Sequence, residues 1–136
     1  MKKYMNSSII YAILAMIGGV FFREFTKFQG FTGKTTLSVV HTHYFVLGML
    51  FFLILMILEK NFHFTDKKTD RTLIFYHIGL NMTAIMLAVR GILQVLNTEM
   101  SGGLNAAISG IAGLGHIILG VSIIVLLFSI KKKVTE

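Results

Sequence analysis

The chain has 136 residues, of which 54% are hydrophobic and 14% charged, with a formal net charge of +7 and no cysteine. Without cysteine there is no disulfide, iron–sulfur cluster, thiol nucleophile or covalent Cys-x-x-Cys-His haem attachment, so any cofactor must be held by other side chains. The basic residues are divided among short loops and tails and form no patch, which speaks against nucleic acid as a partner and for a role in membrane topology.

Charges collect at residues 1–3, 23–34, 59–71, 99 and 131–136, and the stretches between them reach the roughly 20 apolar residues that cross a bilayer. The prediction is an all-α, integral membrane four-helix bundle, a single domain over 1–136 with spans at about 5–23, 35–59, 72–97 and 103–130. The first span has the basic start of a leader. It ends in Gly18-Gly19-Val20-Phe21-Phe22-Arg23, however, where a small-x-small cleavage site would stand, and is read as a helix. Lys2, Lys3, Lys60, Lys67, Lys68, Arg71, Lys131, Lys132 and Lys133 face Arg23, Lys27 and Lys34 on the other side. The positive-inside rule then puts both termini and the 60–71 loop in the cytoplasm of a bacterial plasma membrane, and the 24–34 and 98–102 loops outside.

On the first helix, Tyr4, Ser8, Tyr11, Ala15, Gly18 and Phe22 form one stripe at helical spacing and mark a contact face. Proline is absent, so all four helices are expected to be fairly straight. The second helix carries His41 and His43 in its outer half. Two residues on a helix amount to about 200° of rotation, so the two imidazoles point apart and cannot chelate one metal. The helix must serve two neighbours: two haems, one haem and a hydrogen-bonding network, or one site within the subunit and one at a boundary.

On the third helix, His77 lies near the cytoplasmic end and Arg90 toward the outer end, on a stripe with Tyr76, Gly79, Thr83, Gln94 and Asn97. No Asp or Glu lies within a span to neutralise Arg90, so an anion from outside the chain, such as a haem propionate or lipid phosphate, is a candidate partner, as are water and backbone carbonyls. The fourth helix, joined by the short Thr98–Gly103 connection, should run antiparallel beside the third. Its stripe of Gly102, Asn105, Ser109, Ala112, Gly113, His116 and Gly120 reads as a smooth groove for a neighbouring helix or a flat ligand. At about 1.5 Å of rise per residue, His41, His43, Arg90 and His116 lie at depths that can share a site, whereas His77 does not. His63 reads as a loop residue.

The segment Val39-Val40-His41-Thr42-His43-Tyr44-Phe45-Val46-Leu47-Gly48-Met49 resembles the haem-ligating helix of subunit I of the haem–copper oxidases, with its His-Phe-His-Tyr core. The resemblance implies that His41 and His43 ligate two different haems on opposite faces. The copper-site His-Pro-Glu-Val segment and the arginine pair of that family are missing. Its twelve helices stand as three arcs of four, which implies a homotrimer for a four-helix chain. As a whole, the sequence also resembles a small bacterial membrane family known as domain of unknown function 2871.

The functional expectation is a haem b-binding membrane protein with His41, His43 and His116 as candidate iron ligands and Arg90 as propionate partner, serving electron transfer, gas sensing or haem handling, with a redox protein or quinol as partner. Two rivals stand beside it. One is a copper- or zinc-binding or transport protein using the same histidines; the other is an accessory subunit or small pore in which these groups only hold helices together. No catalytic constellation is apparent, and Gly30–Thr35 lacks the spacing of a phosphate-binding loop.

Overall fold

In a computed structural model, which describes residues 1–135, the chain forms four helices: α1 (Lys2–Phe28), α2 (Thr36–Phe62), α3 (Lys67–Val95) and α4 (Gly102–Thr135). Each is long and apolar enough to cross a membrane. The N-terminus, the last turn of α4 and the 63–66 connection lie at one end of the bundle, where Lys3 pairs with Asp70 and Tyr4 bonds Thr65. The 29–35 and 96–101 connections lie at the other.

The helix ends follow from local chemistry. α1 stops at Gly30, whose φ of 60° turns the chain so that Gly30 N–H reaches Lys27 O and Phe31 N–H reaches Thr26 O. α3 ends the same way on Asn97, at φ 50°, with Asn97 N–H on Gln94 O and Thr98 N–H on Leu93 O. At the N-termini, Thr35 Oγ1 accepts from Leu37 N–H and donates to Gly91 O on α3, and Asp66 Oδ1 accepts from Thr69 N–H.

α2 is not a uniform α-helix. It starts as a 3-10 turn (Thr36–Val39), makes one α turn (Val40–His43), widens into a π segment (Tyr44–Leu50) and returns to α over Phe51–Phe62. Proline is not needed for this, because the neighbours supply the cause. The Tyr11 side chain of α1, from its Cβ to the near edge of the ring, is seated where a Cβ at Gly48 would stand, and the carbonyls of the wider turns are met from outside: Tyr76 Oη donates to Leu47 O at 2.6 Å and Ser8 Oγ to Met49 O at 3.0 Å.

The stripe Tyr4, Ser8, Tyr11 and Ala15 of α1 is buried as expected, and with Phe52, Phe64, Tyr76 and Leu80 it forms an aromatic core among α1, α2 and α3. α4 packs along α3 and meets α2 in its Phe51–Phe62 portion. The stripe of α4 expected to form a groove is open at its glycines, since a Cβ on Gly102, Gly113 or Gly120 would touch nothing within 4 Å, while its Asn105 and Ser109 meet Arg90 of α3 and its His116 meets His43 of α2. The buried face is instead Ile108, Gly115, Leu119, Ser122, Leu126 and Ile130. α4 is apolar almost all round, so shape chooses its contact face. Gly115 lets its backbone reach Thr83, and Gly79 lets the Leu119 backbone reach α3.

Candidate functional site

His43 closes the single α turn before the π segment, and His116 sits on the open face of α4. Both have the i−4 carbonyl of their own helix within reach: His43 Nδ1–H donates to Val39 O and His116 Nδ1–H to Ala112 O, each at 2.8 Å. A carbonyl only accepts, so these bonds fix the tautomer and leave Nε2 of each ring with a free lone pair. This is the arrangement in which histidines ligate metals, the outer N–H held and the inner nitrogen offered. The two rings come together across the gap between α2 and α4, their centres 6.3 Å apart and their planes at 88°. No hydrogen bond joins them.

The surroundings suit a flat group. Beside His43 a shallow groove of about 370 Å³ is lined by Val39, Thr42, His43, Val46 and Leu47. Beside His116 the open backbone of Gly113 and Gly120 leaves α4 without side-chain cover. Two turns toward the loop end on the same stripe, Arg90 Nη2 donates to Ser109 Oγ at 2.6 Å and to Asn105 Oδ1 at 3.1 Å. Both acceptors are neutral, and the buried Nε of the guanidinium has no partner.

His41 is placed away from this pair. Its ring lies against α1, where a Cβ on Gly19 would meet the imidazole at 3.7 Å, and its buried Nδ1 has no hydrogen-bond partner. The opposed directions expected of His41 and His43 are present, and the opposing histidine from α4 comes to His43. Among the described residues no three His, Cys, Asp or Glu side chains gather as a metal-ligating group.

His77 belongs to a second polar cluster whose other members the sequence reading did not assemble. Its Nδ1 lies 2.6 Å from Tyr11 Oη. Asn81, one turn along α3, donates from Nδ2 to His77 O at 2.8 Å and to Tyr11 Oη at 3.1 Å, while its Oδ1 accepts from Tyr44 Oη at 3.1 Å. Tyr11 Oη accepts from Asn81, and the direction of its bond to His77 Nδ1 follows the imidazole tautomer, so Tyr44, Asn81, Tyr11 and His77 form one continuous chain of bonds. Phe52 and Tyr11 stack on the imidazole at 4.8 and 5.5 Å. The signal in the sequence was the pair His77 and Asn81 at i, i+4, on one face of α3, opposite a tyrosine of the α1 stripe. His63, by contrast, is an exposed residue that ends α2 at φ 48°.

With the geometry in place, comparison with known proteins adds the family. The chain belongs to the family described as protein of unknown function (DUF2871), whose model matches residues 1–133. No curated protein and no solved structure matches it, and the comparisons lend no support to the resemblance of α2 to the haem–copper oxidases.

Proposed function

We propose that this protein is a multi-pass membrane protein of the bacterial plasma membrane that binds one haem b per chain, with His43 and His116 as its two axial ligands and Arg90 as its propionate partner. The observation that carries the reading is the His43–His116 pair. Two imidazoles on opposite sides of one metal, each nitrogen about 2.0–2.1 Å from it, have ring centres roughly 6–6.5 Å apart, and these stand at 6.3 Å. Their Nε2 lone pairs are the ones left free.

The donor set also separates haem from the rival metals. Zinc takes three or four protein ligands and type-specific copper sites a comparable number, whereas a porphyrin supplies four nitrogens and asks the protein for two. Bound haem supplies one-electron chemistry between ferrous and ferric iron. The chain's own residues hold its two faces, fix the ligand tautomers through Val39 O and Ala112 O, and place a positive charge at Arg90 toward the loop end. A haem held by both His43 and His116 would leave its iron no open position, which favours electron transfer or haem handling over gas sensing.

Titration of the purified full-length chain with haem, followed by absorption, tests this. A Soret band that saturates at one haem per chain, and that is lost or altered in both His43→Ala and His116→Ala, supports the reading. A wild-type chain that gains no such band leaves the accessory-subunit reading, in which the two rings merely pack edge to face.

A further inference from the structure

We infer that the groove between α3 and α4 on the side of the 63–66 connection seats an anionic phospholipid, with an acyl chain along the groove and the headgroup phosphate at Lys68 and Arg71. The groove measures about 280 Å³, and its walls are Thr72 and Phe75 of α3 and Ile117, Ile118, Val121, Ser122 and Val125 of α4. None of His43, His116 and Arg90 lines it.

The lining determines what the groove accepts. Its two polar members have committed their hydroxyl protons to their own helices: Thr72 Oγ1 donates to Lys68 O at 3.0 Å and Ser122 Oγ to Ile118 O at 2.7 Å. The other walls are branched aliphatic side chains and one phenyl ring, so the groove offers contact to hydrocarbon and no free donor. Between Ile117 and Val125 it follows α4 over roughly 12 Å at the rise of an α-helix. That is close to the half-thickness of a hydrocarbon core roughly 30 Å thick. Phe75, Ile117 and Val121 are exposed, so the groove opens sideways and a chain enters it from the lipid.

Charge at one end of the groove chooses among lipids. Lys68 stands one helical turn before Thr72 and Arg71 one turn before Phe75, so both bases continue the stripe of α3 that forms the wall. Lys132, two turns past Val125 on the antiparallel α4, brings a third base to the same end. The nearby acids are engaged elsewhere: Asp70 pairs with Lys3, and Asp66, which feels the charge of Lys68, accepts from Thr69 N–H. Among the described residues neither Lys68 nor Arg71 forms an ion pair. A seat for one chain that ends in a group of bases is complementary to a headgroup of net negative charge; a zwitterionic headgroup would bring its own cation among like charges. The excess of Lys and Arg at this end reads as the cytoplasmic leaflet. The inference rests on the membrane reading and needs no haem.

The test is native mass spectrometry of the haem-free full chain in mild detergent, offered phosphatidylglycerol and phosphatidylcholine with identical acyl chains. The wild type is expected to retain one phosphatidylglycerol in preference to phosphatidylcholine. That preference should fall roughly fivefold for each base removed in Lys68→Gln and Arg71→Gln, and retention of either lipid should fall in Val121→Trp, which fills the groove from an exposed position. Lys27→Gln, at the opposite end of the molecule, should change neither. Equal retention of the two lipids by the wild type overturns the inference. So does a preference that survives the Lys68 and Arg71 substitutions or falls equally in Lys27→Gln, or a retention that survives Val121→Trp. Because the measurement is made without haem, a missing Soret band counts against the haem reading alone.

Discussion

The imidazoles of His43 and His116, seventy-three residues apart in sequence, meet at 6.3 Å with their planes nearly perpendicular, and each is tied by Nδ1–H to a carbonyl four residues back. These tethers set the ring orientations before any ligand arrives, and the perpendicular planes have a spectroscopic consequence. Low-spin ferric haem with crossed axial imidazoles gives a strongly anisotropic electron paramagnetic resonance signal, whereas parallel imidazoles give a rhombic one. The oxidised, haem-loaded protein is expected to give the anisotropic signal; a rhombic spectrum would show that the two rings do not ligate as they stand.

His41 and His43 should separate cleanly on substitution. His41→Leu is expected to keep the haem spectrum and the one-to-one stoichiometry, since His41 faces Gly18 and Gly19 of α1. His43→Leu removes one axial ligand and should convert the spectrum to a five-coordinate, high-spin form or abolish it. Equal spectral losses in the two variants would return His41 to the ligand set.

Arg90 holds two neutral acceptors with Nη2 and leaves Nε unpartnered. A charge-assisted hydrogen bond contributes about 1.5–3 kcal/mol, so Arg90→Gln should weaken haem affinity by roughly ten- to hundredfold while leaving the band positions in place. An unchanged affinity from a haem titration would show that the guanidinium only staples α3 to α4.

The π segment depends on the fit of Tyr11 over Gly48. A Cβ at Gly48 would lie 2.5 Å from the Tyr11 side chain, and over-packing of this kind costs about 1–3 kcal/mol. Gly48→Ala should therefore lower the thermal midpoint in detergent, and the loss should shrink when Tyr11→Gly, which removes both the Cβ and the ring, is added. Independent effects of the two substitutions, measured as a double-mutant cycle, would argue against Tyr11 as the cause of the wide turn.

Outside the spans, the backbone N–H of Thr69 holds the Asp66 carboxyl below its ordinary value of 3.8. A carboxylate with a lowered folded value stabilises the fold fully above its ordinary value, and that contribution disappears as pH falls through the lower folded one. The start of α3 should thus loosen only in strong acid. Thermal midpoints of Asp66→Asn, which keeps the cap without the charge, should lose this acid dependence; a parallel decline in both proteins would place it elsewhere.

Much of the architecture is legible in the residues themselves. Runs without charge announce four helices, the spacing of Tyr4, Ser8, Tyr11 and Ala15 picks out the buried face of α1, and the two-residue step from His41 to His43 dictates their divergence. The facing of α4 is not legible, because a helix apolar on every side carries no preferred face and only the shapes at Gly115 and Gly79 decide its rotation. The π segment escapes for a related reason: no proline marks it, and its cause sits on another helix, in Tyr11. The chain of bonds from Tyr44 to His77 draws on three helices, so no single segment contains its pattern.

The most direct test of the account is the absorption spectrum of the purified wild-type chain loaded with haem, oxidised and then reduced with dithionite. The account predicts one haem per chain with a six-coordinate, low-spin bis-histidine spectrum in both states. No bound haem, or a five-coordinate spectrum in the wild type, would contradict it.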